Sequence, residues 1–417
     1  MIPSACVRPG RLWDDLMALA AITDPARPYT RRSFSDRFLT GRDWLRARFA
    51  QAGLDCRIDD AGNLIGRRAG TRPGAGTLMA GSHSDSVPDG GRFDGMLGVL
   101  AALEAARALA ESGLALDHDL EVVDFLAEEP SEFGLSCIGS RGLSGALSAG
   151  QRALVAPWGE SLADAIARMG GDPARLDGPR RDDIRAFLEL HIEQGTVLER
   201  AGRPIGVVQA IAGVTRVEIR FAGRADHAGT TPMDHRQDAA VAAAAIIGFV
   251  SERAGALAAS GSGHVTATCG VVDIAPNAAN VVPRAARLVV DIRVSHRPVL
   301  QTLLDALRAA CDRAADRARV RLAAFTILSD SHPVACDPAL AARIAAAADG
   351  LGLAHCAMVS GAGHDAAFVA RLAPATMIFV PCRDGRSHDP AEWCAPDDAA
   401  RGARVLADTM LACDRGP

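Results

Sequence analysis

A glycine-rich stretch, GSHSDSVPDGGRFDG at residues 81–95, carries four side chains that could bind a metal ion. They are one imidazole, His83, and three carboxylates, Asp85, Asp89 and Asp94. A solvated turn would also explain this composition, because glycine, proline and aspartate are common in turns. The choice between a turn and a metal site depends on donors elsewhere in the chain.

Further candidate donors are the pair Glu128–Glu129, His191, and His388 in GRSHDPAEW. Imidazole nitrogens mixed with carboxylate oxygens suit Zn²⁺, Mn²⁺, Co²⁺ or Ni²⁺ better than Ca²⁺, which prefers oxygen donors alone. Three histidines and two acids could hold two such ions if one carboxylate bridges them and a position stays open for water. Asp85 could accept the second ring N–H of His83 and fix its tautomer.

The elements around these donors alternate between strand and helix. Thr77–Gly81 is predicted to be a strand that enters the glycine-rich loop, and a long helix then ends at Gly113. A second strand, in HDLEVVDFLAEE, ends at the paired glutamates. Such alternation favours a layered α/β domain with a mainly parallel sheet, whose ligands gather at the carboxyl ends of strands. Each donor alone is weak evidence, but their shared position at strand ends favours a metal site.

The middle of the chain follows a different pattern. Residues 215–328 are predicted to form strands and helices in the order βαββαβ, which is that of a ferredoxin-like domain. We therefore predict a catalytic metal-binding domain made of residues 1–212 and 330–417, with a smaller domain inserted at residues 213–329.

The composition is that of a soluble globular protein: 417 residues, 49% hydrophobic and 23% charged. A net charge of −5 without any basic block argues against binding to nucleic acid or to an anionic membrane. Charges within MIPSACVRPGRLWDDLMALA argue against a signal peptide, and the uncharged run Ala239–Val250 is too short to span a bilayer. Ten scattered cysteines predict reduced thiols and a cytoplasmic protein, and Cys137 lacks an evident base that would make it a nucleophile.

Six motifs occur in order along the chain. They are GSHSDSVPDGGRFDGMLGVLAALE, FLAEEPSEFGLSCIGSRGLSG, LELHIEQGTVLERAGRPIGVVQAIAG, GRADHAGTTPMDHRQDA, PNAANVVPRAARLVVDIR, and SGAGHDA with IFVPCRDGRSHDPAE. Together they resemble the M20-type metallohydrolases of the N-carbamoyl-L-amino-acid hydrolase, allantoate amidohydrolase and β-ureidopropionase group, over roughly residues 10–412. LELHIEQG is the most discriminating, because related M20 exopeptidases have a carboxylate where His191 stands.

The resemblance implies a pair of divalent metal ions per chain, of Zn, Mn, Co or Ni. His83, Asp94 and His191 would hold one ion, and Asp94 would bridge to a second ion held by Glu129 and His388. The glycines of the first loop would then let His83 and Asp94, eleven residues apart, both turn onto one metal.

Glu128 would be the general base in this family. Neighbouring residues of an extended backbone point in opposite directions, so Glu129 can bind metal while Glu128 addresses the water. The base takes a proton from water and delivers it to the leaving nitrogen. Asp89 has no role in this scheme and is interpreted as a turn residue.

The inserted domain would act as a lid and dimerisation domain. His227 resembles the histidine that stabilises the tetrahedral oxyanion, often from the partner subunit of a homodimer. Asn280 and Arg293 resemble a clamp for the substrate carboxylate, and the planar fork of arginine suits that task. Arg236 matches a residue tied to dimerisation.

Four further residues resemble substrate contacts: Gln194, Arg216, the backbone of Gly363, and His364. Six other histidines match no role and are interpreted as structural or exposed: His118, His235, His264, His296, His332 and His355.

The resemblance thus implies a metal-dependent amidohydrolase that cleaves a linear carbamoyl or ureido C–N bond of a small carboxylate substrate. An N-carbamoyl-L-amino acid is the first choice, and the alternatives are an allantoate amidohydrolase or a β-ureidopropionase. From another class, the chain could be a non-catalytic metal- or ligand-binding module of the same fold. Glu128 argues against that alternative, since a binder needs the ligands but not the base.

Overall fold

The computed structural model describes residues 2–416. These residues divide into two compact units. Unit 1 consists of the chain up to Gln209, of Cys336–Met358, and of the chain from His364 onwards. Unit 2 consists of Ala210–Ala335 and Val359–Gly363.

The limits of these units differ somewhat from the domain limits expected from the sequence, 1–212, 213–329 and 330–417. The second unit begins earlier and ends later, and it also includes the short segment 359–363. The functions expected of the inserted domain, lid and dimerisation, stay predictions.

The regular elements are numbered here in chain order. The strands are β1 (Asp55–Ile58), β2 (Leu64–Arg68), β3 (Thr77–His83), β4 (Asp119–Phe125), β5 (Ile184–Ile192), β6 (Ile205–Ile211), β7 (Gly213–Ala222), β8 (Val265–Ala275), β9 (Ala285–Val294), β10 (Arg321–Asp330), β11 (Val334–Ala335), β12 (His355–Ser360) and β13 (Ala375–Val380). The α-helices are α1 (Pro9–Ala20), α2 (Asp36–Gln51), α3 (Met96–Glu111), α4 (Ile138–Leu143), α5 (Ala149–Arg152), α6 (Leu162–Arg168), α7 (Val197–Ala201), α8 (Ala239–Ala259), α9 (Arg297–Ala318), α10 (Pro338–Gly350), α11 (Ala366–Val369) and α12 (Pro396–Asp414).

The larger sheet is mixed, and its strands β1 to β5 and β13 lie in unit 1. Its strand order is β1-β2-β4-β3-β5-β13-β6-β11, and β12 also pairs with β6. The four central strands β4, β3, β5 and β13 run parallel to one another. Strands β1, β2, β6 and β11 are added with antiparallel pairing on the two sides. The predicted α/β class with a mainly parallel central sheet is therefore confirmed.

The central strands are buried because apolar side chains occupy both of their faces. Every residue of β3 and of β13 is buried, as expected for parallel strands covered by helices. Helix α3 is rich in alanine, packs against α12, and is buried along most of its length. Small side chains let these helices approach the sheet closely, so the strand ends that carry the donors are held in a rigid, well-packed core.

Unit 2 contains the elements β7, α8, β8, β9, α9 and β10, in the βαββαβ order that the sequence predicts. Its four strands form an antiparallel sheet with the order β10-β7-β9-β8. Along β9 buried and half-buried residues alternate, so one face of the sheet packs on the core cluster that includes α8 and α9. The other face is more accessible, as is common for antiparallel sheets.

Helix α8 is, within residues 2–416, the one helix long and apolar enough to cross a membrane by length and composition. It has 21 residues and continues beyond the uncharged run Ala239–Val250, so the length argument made from the sequence does not hold for the whole helix. Its residues Ala242, Ile246 and Val250 are buried in the core of unit 2. One side of the helix therefore packs on the core of unit 2, and its other side, which includes Val241 and Ile247, is exposed.

Candidate metal centre

Four neighbouring strands of unit 1 place the predicted donors at one edge of the sheet. His83 is the last residue of β3, and Glu128–Glu129 follow the end of β4 by a short turn. His191 lies near the end of β5, and His388 lies in the loop between β13 and α12. Because these strands are parallel neighbours, their carboxyl ends meet at the same edge.

The donors form two groups that share Asp94. His83, Asp94 and His191 bring one ligand atom each within 4.8 Å of one another, and so do Asp94, Glu129 and His388. His191 Nε2 lies 3.2 Å from Asp94 Oδ1, whereas His388 Nε2 lies 3.0 Å from Asp94 Oδ2. The two oxygens of one carboxylate thus face the two groups, which is the arrangement that a bridging ligand requires.

The electrostatics of this edge favour positive charge. Burial lowers the pKa of His83, but the charge of Glu128 and of the nearby aspartates outweighs it and raises that pKa well above its usual value. Hydrogen bonds to Asp94 and Glu129 raise the pKa of His388 to about 11. Three imidazoles among several buried carboxylates therefore form a donor set that fits divalent transition metals or zinc.

A third group of possible donors, Glu189, His191 and His364, was not expected as a set. Glu189 accepts hydrogen bonds from Ser82 Oγ at 2.7 Å and from the backbone N–H of Ala366 at 3.0 Å. The rings of His191 and His364 meet edge to face at 66°, with centroids 4.7 Å apart. Glu189 is thus already hydrogen-bonded to donors of the protein.

Glu128 stands apart from both donor groups. Its side chain is buried, and its Oε2 lies 3.6 Å from His83 Nε2. Burial, together with the neighbouring Glu129 and Asp365 carboxylates, raises the pKa of Glu128 well above its usual value. Its other oxygen, Oε1, accepts the thiol of Cys137 at 3.3 Å. The carboxylate is therefore oriented toward the donor cluster without being part of either group.

The carboxylate of Asp85 makes closer contacts with the two glutamates than with His83. Its Oδ1 and Oδ2 accept the backbone N–H groups of Glu128 and Glu129, each at 3.2 Å. His83 Nδ1 lies 3.1 Å from the backbone carbonyl of Asp85 and 3.5 Å from its carboxylate. The shorter contact indicates that the carbonyl, rather than the expected carboxylate, is the main acceptor for this ring nitrogen.

The structure explains why one position of the loop, residue 95, is a glycine. Its φ of +69° lies in the left-handed region, and a Cβ there would overlap the imidazole of His83. The backbone N–H of Gly95 also lies 3.3 Å from His191 Nε2. Asp89, interpreted from the sequence as a turn residue, has a φ of +52° and lies 3.4 Å from Arg27 at the surface.

Two residues next to His388 that the sequence did not single out also contact Asp94. Ser387 Oγ lies 3.1 Å from Asp94 Oδ2, and the buried Glu392 accepts the backbone N–H of Asp94 at 3.1 Å. Gln194, expected to contact substrate, places its Nε2 at 3.1 and 3.2 Å from the two Asp94 oxygens. The signal in the sequence was only an acid four residues after His388, which is common in solvated turns.

Unit 2 carries four candidate side chains for substrate binding: His227 and Asn280 in loops, Arg216 on β7 and Arg293 on β9. His227 is exposed and forms an isolated β-bridge with Val281, next to the exposed Asn280. Arg236 donates to the backbone carbonyls of Ala228 at 2.6 Å and Thr231 at 3.1 Å. It thereby fixes the loop that carries His227, and this contact is within one chain.

Arg293 and Arg216 share one acceptor. Arg293 Nε donates to Asp291 Oδ1 at 2.9 Å, and Arg216 Nε donates to Asp291 Oδ2 at 3.1 Å. Arg293 Nη1 also donates to the carbonyl of Gly361 at 2.9 Å, two residues before Gly363. The guanidinium is thus held in one orientation beside the 359–363 segment of unit 2.

The six histidines without an expected role lie outside the two donor groups. His118 pairs with Asp414 at 2.9 Å and His355 with Asp349 at 3.2 Å. His264 packs near Gly361 and Arg293, and its burial lowers its pKa.

Comparison with known proteins identifies the family of the chain. The family model for peptidase family M20/M25/M40 matches residues 79–412. An N-carbamoyl-L-amino acid amidohydrolase of Geobacillus stearothermophilus is 39% identical over 97% of this chain and 98% of its own. An allantoate amidohydrolase of Bacillus subtilis (strain 168) is 36% identical over 90% of this chain and 91% of its own.

A solved structure shows the same fold over nearly the whole chain. An amidase of the hydantoinase/carbamoylase family from Burkholderia multivorans has a TM-score of 0.91 and 35% sequence identity, and the match covers 99% of both chains. The family expected from the six motifs is confirmed. The chain belongs to peptidase family M20/M25/M40 and is a metal-dependent hydrolase of C–N bonds.

Proposed function

We propose that the chain is a two-metal amidohydrolase that cleaves the carbamoyl or ureido C–N bond of a small carboxylate substrate. The observation that carries the proposal is the position of Asp94 between two donor groups, with Glu128 beside them but in neither. A site of this kind combines metal ligands with a separate proton carrier, which a protein that only stores or binds metal does not need.

His83, Asp94 and His191 would hold one ion, and Asp94, Glu129 and His388 would hold the second. The donor set suits zinc, manganese, cobalt or nickel. When bound, such a pair of ions polarises a substrate carbonyl and acidifies a water molecule.

Glu128 would move the proton. Its carboxylate accepts a proton from the attacking water, whose oxygen bonds to the carbamoyl carbon. The same carboxyl then gives the proton to the nitrogen as the C–N bond breaks, which restores the carboxylate. Its burial and the Cys137 thiol at 3.3 Å hold it in one orientation for both transfers.

Arg293 and Asn280 would bind the substrate carboxylate. A guanidinium makes charge-assisted, bidentate hydrogen bonds to carboxylates, and Asp291 and Gly361 keep that of Arg293 in place. We assign His227 to the developing oxyanion, and Gln194, Arg216, Gly363 and His364 to further substrate contacts.

An N-carbamoyl-L-amino acid is our first choice of substrate, supported by the relative of that name with 39% identity. Allantoate is the second candidate, because a relative named for it is 36% identical over 90% of the chain. Both compounds carry a carboxylate near a ureido group, so the proposed clamp suits either.

We also propose a homodimer formed through unit 2. Its edge strand β8 exposes Val271 and Val272, and helix α8 exposes Val241 and Ile247. An edge strand with apolar side chains is a surface suited to pairing with a second copy. All ten cysteines lie within the described residues as free thiols, which suits a reducing compartment, so we propose the cytoplasm.

A substrate panel tests the proposal. N-carbamoyl-L-amino acids, their D-forms, N-carbamoyl-β-alanine, allantoate and ureidoglycolate are compared by the release of ammonia and amino acid. We expect the highest kcat/KM with an N-carbamoyl-L-amino acid. A clear preference for allantoate would replace the first choice by the second, and no hydrolysis of any member by metal-loaded protein would contradict the proposed function.

A further inference from the structure

The loop of residues 383–393, here called the His388 loop, brings three side chains to the candidate metal centre. The backbone N–H of Arg383 donates to the carbonyl of Trp393 at 2.9 Å and closes the base of the loop. Ser387, His388 and Glu392 all lie on it. The shape of this loop therefore decides where the imidazole of His388 stands relative to Asp94.

Glu392 ties the His388 loop to the turn that carries Asp94. Its side chain is fully buried. One oxygen, Oε1, accepts the backbone N–H groups of Phe93 at 2.8 Å and of Asp94 at 3.1 Å. The other oxygen, Oε2, accepts the hydroxyl of Ser387 at 3.0 Å. One carboxylate thus connects two segments that are 298 residues apart in the chain.

Ser387 carries the connection to the carboxylate of Asp94 itself. Its Oγ lies 3.1 Å from Asp94 Oδ2, the oxygen that faces His388, so its single hydroxyl hydrogen is shared between the carboxylates of Asp94 and Glu392. Gln194 Nε2 lies 3.2 Å from the same hydroxyl. With its N–H accepted by Glu392 and its carboxylate contacted by Ser387 and Gln194, Asp94 is held at both ends.

Aromatic packing joins the same two segments on their outer side. The ring of Phe93 lies 5.7 Å from that of Trp393 and 5.7 Å from that of Trp13. The guanidinium of Arg92 lies 4.8 Å over the Trp393 ring. Because the residues next to Asp94 and Glu392 pack on each other, the hydrogen bonds of Glu392 need not hold the segments together alone.

Gly91 shows how closely Glu392 is enclosed. A Cβ at residue 91 would overlap the Glu392 carboxyl group, so the turn leaves room for this side chain only because a glycine stands there. The carboxylate is satisfied by backbone N–H groups and a hydroxyl rather than by a cation, and a buried acid of this kind is costly unless it is fully hydrogen-bonded. A buried acid whose hydrogen bonds run to the Asp94 turn and to Ser387 is better explained by what it orients than by added stability.

We infer that Glu392 is a positioning residue which, together with Ser387, sets the Asp94 carboxylate and the His388 imidazole for the second metal ion. The inference rests on the proposed function, because it assumes that Asp94 and His388 are ligands. Its role requires an oxygen that accepts the two backbone N–H groups, not a negative charge as such. Residues that orient metal ligands change metal affinity by about 10–100-fold when they are removed.

The experiment measures the affinity of the metal-free full-length chain for Mn²⁺ by competition with a chromogenic chelator. We expect Glu392→Ala to weaken the binding of one ion by about 10–100-fold. Glu392→Gln keeps an accepting oxygen and should retain most of the affinity. Ser387→Ala removes the hydroxyl without a buried cavity and should weaken the same ion, which keeps the test valid if Glu392→Ala does not fold.

Glu199→Gln is the matched control. Glu199 accepts the backbone N–H of Asp384 in the same loop at 3.0 Å, but it does not contact Asp94, so its variant should bind Mn²⁺ as the wild type does. Folded Ser387→Ala and Glu392→Ala variants with wild-type affinity would overturn the inference alone, as would equal losses in Glu392→Gln and Glu392→Ala. A wild-type chain that binds no Mn²⁺ would overturn both the inference and the proposed function.

Discussion

The candidate ligands in unit 1 and the candidate substrate residues in unit 2 differ most in burial. His83, Asp94, Glu129 and His191 are at most 5% exposed, in a site assembled from strand ends, whereas the fifth candidate ligand, His388, is exposed. His227 and Asn280 are exposed and lie in loops of unit 2. The ligands are fixed by many protein contacts, whereas the recognition residues keep open hydrogen-bonding capacity.

This difference in burial follows from the different tasks of metal ligands and of residues that recognise substrate. Metal ligands must be oriented before the ion arrives, and most of the candidate ligands are therefore buried among groups that fix them. Because the pKa values of His83 and His388 are raised, binding of an ion would displace protons from these imidazoles. Recognition residues exchange water for substrate in each turnover and must stay accessible. Changes in unit 1 should therefore alter chemistry and metal content, and changes in unit 2 should alter substrate preference and assembly.

The largest effect separates the two adjacent glutamates. Glu128→Gln should lower kcat by about 10²–10⁴-fold while metal content stays that of the wild type, because a general base contributes about that much. Glu129→Gln should instead reduce metal content. Kinetics and elemental analysis of both variants check this, and the reverse pattern would mean that the base and the ligand have been exchanged.

A smaller effect is expected at the carboxylate clamp in unit 2. Arg293→Ala should lower kcat/KM for a carboxylate substrate about ten- to a few-hundredfold, which corresponds to the loss of a charge-assisted hydrogen bond of about 1.5–3 kcal/mol. Metal content should not change. Arg220→Ala is a suitable control, since Arg220 also pairs with an acid of its own sheet, Glu218, at 2.8 Å.

The Arg293→Ala variant also allows charged and neutral substrates to be compared. An uncharged analogue should be a poor substrate of the wild type and should lose little further activity in Arg293→Ala. If the wild type hydrolysed the neutral analogue as fast as the acid, the clamp would be excluded.

The effect of a change in unit 2 on dimer formation should be smaller than the effect of a change in the carboxylate clamp on kcat/KM. Arg236→Ala should lower both dimer content and activity, by about tenfold or less, since it removes hydrogen bonds from a charged donor that hold the His227 loop. Sedimentation velocity and activity are measured on the same samples. A fully active monomer would remove any role for the partner subunit but would leave the metal centre unaffected.

The smallest effect concerns the contact between Cys137 and Glu128. Cys137→Ser keeps a donor near Glu128 and should change kcat by less than about threefold, whereas Cys137→Val removes the donor and should cost about two- to tenfold. Burial raises the pKa of the Cys137 thiol well above its usual value, which is the opposite of what a nucleophile needs. Complete loss of activity in Cys137→Ser would revive the nucleophile hypothesis.

The sequence predicted the parts of the molecule that depend on residue type and local periodicity. Strand and helix periods place His83, Glu129 and His191 at strand ends, and the structure brings these donors together around Asp94. Capping chemistry also fixes where a helix begins: α2 begins at Asp36, because Ser35 caps it by accepting the N–H of Phe38.

The contacts that join distant segments could not be predicted in this way. Glu392 and Glu189 look like ordinary polar residues in the sequence, and only the tertiary fold brings them to Asp94 and His191. Gln194 was assigned to substrate by resemblance, yet its amide contacts the carboxylate of Asp94. Such roles depend on where separate strands end relative to one another, which local periodicity does not encode.

The central claim is that Asp94 joins two metal sites in one chain. Elemental analysis of protein loaded with Mn²⁺ or Zn²⁺ and freed of excess metal should give two ions per chain, and chelation should abolish turnover until metal is restored. An Asp94→Asn variant should lose affinity for both ions. One ion per chain would contradict the bridge, and turnover that survives thorough chelation would contradict the metal-dependent mechanism.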